Sequence, residues 1–140
     1  MTSCHDISDG GPLVAAVEMA LSGSIGASLE CIDWTGLTPE ALSIPSVSSA
    51  TAAGVAGQLF GEDQGHYLVT TSDRGGAELL RLAEQHSVPC WRLGVVGGEA
   101  ISISYQDEQA GTLGKVSLAD LRAAHEGFFP NLMGADAALA

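Results

Sequence analysis

The sequence predicts an α/β (α+β) fold in which a mixed β-sheet is packed with helices. Apolar residues recur at helical spacing over about residues 12–22. Apolar and polar residues alternate over Ala27–Cys31 and again over Ala100–Tyr105, which is typical of strands. Gly97 and Gly98 precede the second of these strands and predict a hairpin-like turn. Strands that alternate with helices, together with one hairpin, indicate a sheet with both parallel and antiparallel pairs.

Turn-forming residues and helix caps divide the chain into these elements. Helices are predicted over about 12–22, over about 49–58 behind Ser48 or Ser49, from Ser72 or Asp73 up to Pro89, and from Ser117 onward. The predicted strands are Ala27–Cys31, His66–Thr71, Trp91–Val96 and Ala100–Tyr105. The third helix carries an apolar stripe of Ala77, Leu79, Leu80, Leu82 and Ala83. Ser117 and Asp120 form a capping box at the start of the last helix.

The remaining residues are predicted to be loops within a single domain that covers residues 1–140. Residues 35–47 form a loop with one short helical turn near Pro39–Leu42. Gln106–Gly114 is predicted to be a second turn, after which Val116 closes a short strand. Residues 135–140 are predicted to be a frayed tail.

The composition argues against several classes of function. A net charge of −12 repels a phosphate backbone, so nucleic-acid binding is not expected. No apolar run approaches the roughly 20 residues that cross a bilayer, and the acidic N-terminus does not resemble a signal peptide. Cys4, Cys31 and Cys90 are widely spaced, which argues against disulfides or a structural zinc site and favours a cytoplasmic location.

The first candidate site is the segment His5–Gly11, which places an imidazole, two carboxylates and a hydroxyl directly before a helix. Its two glycines allow a sharp turn, and Pro12 suits the first helical position. The polar side chains would then point toward a ligand beyond the helix N-terminus. Alternatively, Ser8 or Asp9 simply caps the helix, and the sequence leaves both interpretations open.

The second candidate site is the acidic loop Glu62-Asp63-Gln64, which joins a helix end to a strand start. Its carboxylate and amide groups can bind hydroxyls, amides or a metal ion, unless the loop is only a solvated acidic turn. Asp6 and Asp9 could share Mg²⁺ with Glu62, although two carboxylates alone are a poor site for an ion that prefers octahedral oxygen ligation. We expect both segments on one edge of the domain, with the Asp9 and Glu62 carboxylates within ~15 Å.

Three blocks of sequence, in consistent order and spacing over roughly residues 4–134, resemble one enzyme family. The first block is His5-Asp6-Ile7-Ser8-Asp9-Gly10-Gly11 with the helix that follows it. The second runs from Leu59 to Val69 and contains Glu62-Asp63-Gln64, and the third is Val116–Arg122 with His125, Glu126, Gly127 and Pro130. Together they are similar to the last domain of the phosphoribosylformylglycinamidine synthases of purine biosynthesis, which belongs to the aminoimidazole ribonucleotide synthetase-like superfamily.

The resemblance implies the C-terminal domain of an ATP-dependent ligase. That enzyme converts formylglycinamide ribonucleotide, ATP and glutamine-derived ammonia into the amidine, ADP and phosphate. ATP and Mg²⁺ are expected only in the full-length enzyme, and the isolated chain is expected to hold no cofactor and to be inactive. The implied partners are the remaining domains of the same synthase, a glutaminase subunit and, in some lineages, a small accessory subunit.

The resemblance also assigns roles to the candidate residues. Contacts with a substrate or an auxiliary ligand are expected from His5, Ser8, Gly10, Gly11, Glu62 and Gln64. Metal binding is expected from Asp6 and Asp9, and no catalytic residue is expected in this chain. The first-half copy of this domain in the family has E-S-Q where this chain has Asp63 between Glu62 and Gln64, so this loop carries an additional charge.

Two other interpretations remain open: a non-catalytic acidic module that binds a protein or small molecule, and the same domain from a related ATP-dependent synthetase or kinase. A fragment of a larger synthase should expose an apolar face that its partner domain covers, and should self-associate through that face or leave it bare. The residues expected there are Phe128, Phe129, Leu132, Met133 and the small-residue helix Ala50–Gly57.

Overall fold

The computed structural model describes residues 1–31, 52–62, 65–105 and 112–134. The helices are α1 (Gly11–Gly23), α2 (Ala52–Phe60), α3 (Asp73–Gln85) and α4 (Leu118–Met133). The strands are β1 (Ser3–Asp6), β2 (Ala27–Cys31), β3 (Tyr67–Thr70), β4 (Gly94–Val96), β5 (Ala100–Tyr105) and β6 (Thr112–Ser117). The predicted loop over 35–47, its helical turn near Pro39–Leu42, the caps Ser48 and Ser49, and the tail 135–140 lie outside the described residues.

The larger sheet is mixed, as the sequence predicts. Its four strands lie in the order β4–β2–β5–β6. The strand β2 pairs in parallel with β5 on one edge and antiparallel with β4 on the other. Across the parallel pair, Ser102 Oγ donates a hydrogen bond to Ser28 Oγ at 3.0 Å. The chain between β2 and β5 is the long crossover that a parallel pair requires.

The turn at Gly97 and Gly98 does not form the predicted hairpin, because β2 lies between β4 and β5. The turn is held against Gly26 instead: Gly26 N donates to Gly98 O at 2.8 Å, and Gly97 N donates to Gly26 O at 2.7 Å. A Cβ atom on Gly26 would lie 2.2 Å from the carbonyl oxygen of Ala100, so this approach requires glycine. The turn residues predict that the chain reverses direction. They do not indicate that another strand lies between the two strands that the turn connects.

Two strand boundaries also differ from the predictions. The strand β4 begins at Gly94 and not at Trp91, because it is an edge strand that pairs with β2 only over Ala27–Leu29. The strand β6 begins at Thr112, within the predicted turn Gln106–Gly114, because its antiparallel pairing with β5 extends as far as Ser104. Residues 106–111 of that predicted turn lie outside the described residues. Most of β6 is exposed, so its sequence lacks the alternation that a half-buried strand would show.

A second, two-stranded sheet is formed by β1 and β3, with Ser3 opposite Thr70 and Asp6 opposite Tyr67. The pairing continues one step further, where Ile7 N donates to His66 O at 2.9 Å. The sequence does not predict β1, because its four residues carry no alternating apolar pattern. This small sheet places the segment that contains His5 beside the start of β3.

The core lies between α1 and the larger sheet. Buried Ala16 and Ala20 of α1 cluster with buried Leu29 of β2 and Ile101 of β5. Partly buried side chains around this cluster are Leu13, Val17, Ala27, Leu68, Leu93, Ile103, Leu118 and Leu121. The helix α1 is thus the central element of the domain, and the first candidate segment leads directly into it.

The helix α3 is amphipathic, but its apolar stripe is not buried. Its cap is as predicted, with Ser72 Oγ accepting a hydrogen bond from Gly75 N at 3.3 Å. Leu80 and Leu82 remain 43% and 39% exposed, and no residue of the helix is buried. An open cleft of about 2230 Å³, lined by parts of α1, α3 and both sheets, lies beside this stripe. Consequently, α3 adds little to the core described above.

The helix α4 begins at the predicted capping box. Ser117 Oγ accepts a hydrogen bond from Asp120 N at 3.1 Å and donates one to Asp120 Oδ2 at 2.6 Å. At the opposite end, four large apolar side chains are 59–78% exposed: Phe128, Phe129, Leu132 and Met133. This part of the expected apolar face is therefore confirmed.

The small-residue helix differs from that expectation. Within α2, Gly54 is buried, and the helix packs against α1. Only part of α2 is taken up by this contact, because Ala56, Gly57 and Phe60 are exposed. Among the described residues, no helix combines the length and the apolar character needed to cross a membrane.

Candidate functional site

The first candidate segment forms a tight turn between β1 and α1. Gly10 and Gly11 both have left-handed backbone conformations, with φ of 82° and 73°. Glycine adopts this region without the steric cost of a Cβ atom. Gly11 N donates a hydrogen bond to Ser8 O at 3.1 Å, which closes the turn. The side chains of Asp6, Ser8 and Asp9 all belong to exposed residues along this turn.

Neither Ser8 nor Asp9 caps α1, so the capping interpretation of this segment is wrong. Gly10 occupies the N-cap position, and α1 therefore has no capping hydrogen bond from an N-cap side chain. A capping side chain normally comes from a residue with extended backbone, whereas the backbone of Gly10 is left-handed. The Gly10 N–H instead donates to Glu62 Oε1 at 2.8 Å.

This hydrogen bond shows that the two candidate segments meet on one edge of the domain, as expected. The backbones also approach closely, because a Cβ atom on Gly11 would lie 2.6 Å from the carbonyl carbon of Phe60 and 2.8 Å from the oxygen of Gly61. Gly11 is buried at this junction. Of the acidic loop, Glu62 is described, while Asp63 and Gln64 lie outside the described residues.

His5 connects β1 to α1. Its Nε2 atom lies 3.3 Å from Glu18 Oε2, and its Nδ1 atom lies 2.6 Å from the backbone oxygen of Asp6. The Asp6 carboxylate is further away, with Oδ1 at 3.7 Å from Nδ1. Glu18 is not among the site residues predicted from the sequence, although it is the only charged residue of α1, and that isolation is the signal that could have revealed it.

The arrangement offers hydrogen-bond acceptors at an exposed edge. The carboxylates of Asp6 and Asp9 and the hydroxyl of Ser8 can accept hydrogen bonds from hydroxyl or amide groups of a ligand. Glu62 is partly engaged by the Gly10 amide, so one of its oxygens is already occupied. In the part of the chain that the structure describes, no three His, Cys, Asp or Glu side chains are placed to hold a metal ion.

Comparison with known proteins gives consistent matches. A family model described as AIR synthase related protein, C-terminal domain, matches residues 1–106. The phosphoribosylformylglycinamidine synthase subunit PurL of Zymomonas mobilis is 39% identical over 133 residues, which cover 95% of this chain and 14% of that protein. The subunit of the same name from Parvibaculum lavamentivorans is 39% identical over 138 residues, which cover 99% of this chain and 15% of that protein. The chain thus spans about one-seventh of the length of these relatives.

Solved structures share the fold. T. maritima PurL complexed with FGAR matches with a TM-score of 0.64 and 20% identity, over 85% of this chain and 17% of that chain. T. maritima PurL complexed with ATP matches with a TM-score of 0.64 and 19% identity, over 85% of this chain and 18% of that chain. At this level of identity, the likeness concerns the fold alone.

Proposed function

This chain belongs to the family of AIR synthase related protein C-terminal domains, and from that membership we propose that it is the last domain of a phosphoribosylformylglycinamidine synthase. The observation that carries the proposal is the extent of the similarity, since the alignments with PurL subunits cover 95–99% of the chain. The family and the mixed α/β fold predicted from the sequence are confirmed. A related synthetase or kinase is disfavoured, because the relatives described above are PurL subunits.

The proposed parent enzyme is an ATP-dependent ligase of purine biosynthesis. It converts formylglycinamide ribonucleotide, ATP and glutamine-derived ammonia into the amidine, ADP and phosphate. This chain corresponds to about one-seventh of the length of its PurL relatives, so we assign it no catalytic step of its own. Its contribution is a folded domain that presents the edge formed by the glycine turn and Glu62.

We assign ligand contacts to five residues of this edge: His5, Ser8, Gly10, Gly11 and Gln64. Glu62, which is also expected there from the resemblance, accepts the Gly10 N–H and is not assigned a ligand contact. Ser8 is exposed, which supports its assignment as a ligand contact. Asp6 and Asp9 are proposed to bind Mg²⁺ only in the assembled enzyme, where phosphate oxygens complete an octahedral shell.

The proposed partners are the remaining domains of the same synthase, a glutaminase subunit and a small accessory subunit, in the cytoplasm. The exposed apolar end of α4 supports a partner domain, because contiguous exposed apolar side chains mark contact surfaces. The uncovered stripe of α3 supports the same conclusion. Both surfaces are unusual for a domain that works alone.

A chimera tests the proposal. The segment of Zymomonas mobilis PurL that aligns with this chain is replaced by residues 1–140, and the chimera is expressed in a bacterium that requires purines because its own synthase is deleted. We expect growth without added purine and, with the purified chimera, release of ADP that depends on formylglycinamide ribonucleotide. The 140-residue chain alone should release no ADP under the same conditions.

Two controls make the outcome decisive. The same PurL without the replaced segment should not support growth, which shows that the segment is required. A chimera that folds but fails to restore growth or ADP release would overturn the proposal and favour a self-contained acidic binding module. ADP release by the isolated chain would show that the domain carries catalytic groups of its own.

A further inference from the structure

The N-terminus of α1 lacks the groups that usually stabilise a helix start. The helix has no acidic residue in its first turn and no side-chain cap. The first N–H groups of a helix have no partner within it, and the helix dipole places partial positive charge there. A carboxylate from elsewhere in the fold is the natural complement to such an end.

Glu62 is in the position to supply that complement. Its Oε1 atom accepts the Gly10 N–H at 2.8 Å from 52 residues away in the sequence. The close approach of Gly11 to Phe60 and Gly61 fixes the end of α2 against the turn. Since Glu62 follows Gly61 directly, the position of its backbone is determined by the same contact.

We propose that Glu62 is a positioning residue, which holds the Ser8–Gly11 turn through the Gly10 amide and does not itself coordinate a ligand or metal. The role of the turn as a binding edge rests on the proposed function, whereas the hydrogen bond does not. Two substitutions of Glu62 separate the effect of the hydrogen bond from that of the charge. Glutamine keeps the oxygen that accepts the Gly10 N–H but loses the charge, whereas alanine removes both.

Amide hydrogen exchange in the 140-residue chain tests the hydrogen bond directly. We expect the Gly10 amide to exchange about fivefold faster in Glu62→Ala than in the wild type, in line with the net contribution of a single hydrogen bond. Glu62→Gln should retain most of the protection. The Gly75 amide, which donates to Ser72 Oγ at the start of α3, serves as an internal control and should not change. Unchanged Gly10 exchange in Glu62→Ala would overturn the proposal.

Activity of the chimera described above separates positioning from ligand contact. Glu62→Gln should keep near wild-type activity, whereas Glu62→Ala should lower it, and Glu84→Ala on the exposed face of α3 should have no effect. Loss of activity in Glu62→Gln with intact Gly10 protection would overturn the positioning role in favour of direct ligand contact. A chimera that is inactive with the wild-type domain refutes the proposed function, and the exchange experiment then decides the role of Glu62 alone.

Discussion

The guanidinium group of Arg122 in α4 donates a hydrogen bond to the carbonyl oxygen of Leu21 in the last turn of α1, across 2.6 Å. The same nitrogen lies 3.4 Å from Ser24 Oγ, and the second one donates to Glu126 at 2.5 Å. The C-terminus of a helix carries unpaired carbonyls and partial negative charge, so a cation stabilises it. Because α1 has no basic residue in its last turn, α4 supplies this charge from a distant part of the sequence.

Both ends of the central helix are therefore stabilised by side chains from other elements. Glu62 reaches the N-terminus of α1 from the end of α2, and Arg122 reaches its C-terminus from α4. The helix itself carries a single charged residue, Glu18, which contacts His5 of β1. Three polar contacts thus connect α1 to three different elements around the alanine-rich core.

Arg122→Met is predicted to destabilise the chain more than Arg81→Met. The first substitution removes the guanidinium donor from the Leu21 carbonyl, which keeps only the longer hydrogen bond from Ser24 N at 3.4 Å, and we expect the free energy of unfolding to fall by about 1 kcal/mol. Arg81 pairs within α3 with Glu78 and lowers the pKa of that carboxyl, but both groups are exposed. Such fully exposed pairs contribute little to stability, because water and salt screen the attraction between the charges. Urea denaturation measures both variants, and equal losses would refute a special role for the contact with α1.

Much of the fold is predictable from the sequence because it rests on local signals. The helical spacing of α1, the cap of α3 by Ser72 and the capping box of Ser117 with Asp120 all depend on residues within one or two turns. The three sequence blocks also predict the family. These features require no knowledge of which elements meet in space.

The features that the sequence does not predict depend on distant partners. The Gly97–Gly98 turn predicts a reversal, but the pairing of Gly26 with both glycines decides that β2 enters between β4 and β5. The convergence of the two candidate segments is expected from their acidity and their positions at element ends. The role of the Glu62 carboxylate as a cap of α1 is not predicted, because Glu62 lies 52 residues from the Gly10 N–H in the sequence.

Gly11→Ala is predicted to be much more destabilising than Gly65→Ala. Both glycines have positive φ, of 73° and 78°, so each substitution carries the backbone cost of about 1–2 kcal/mol. A Cβ on Gly65 would meet no atom within 4 Å, whereas one on Gly11 would lie 2.6 Å from the Phe60 backbone. The difference in the free energy of unfolding between the two variants therefore measures the close contact of the turn with α2. Similar losses in the free energy of unfolding for both variants would show that α2 moves away from the added methyl group without a loss of stability.

A cysteine pair tests the order of strands in the larger sheet. Ser28 of β2 lies opposite both Ser102 of β5 and Val95 of β4. In a chain whose native cysteines are replaced by serine, Ser28→Cys with Ser102→Cys should form a disulfide on oxidation, because the two Oγ atoms are 3.0 Å apart. Val95→Cys with Ala100→Cys, which a two-residue turn at Gly97 and Gly98 would place opposite each other, should not, since β2 lies between the two strands and two strand spacings of about 4.8 Å exceed disulfide reach. Crosslinking of the second pair would indicate the hairpin that the sequence predicts.

The exposed apolar end of α4 is predicted to drive self-association of the isolated chain. Phe128 and Phe129 form an edge-to-face pair with ring centroids 5.3 Å apart, and they continue into Leu132 and Met133. Burial of such area contributes about 25 cal/mol per Å², which outweighs screened repulsion between acidic surfaces. Sedimentation velocity over increasing concentration should show association of the wild type and a monomer for Phe129→Glu with Leu132→Glu. The matched control, Ala123→Glu with Ala124→Glu, adds the same charge on exposed positions of the same helix and should still associate. A wild type that stays monomeric throughout would show that this end of α4 does not drive self-association.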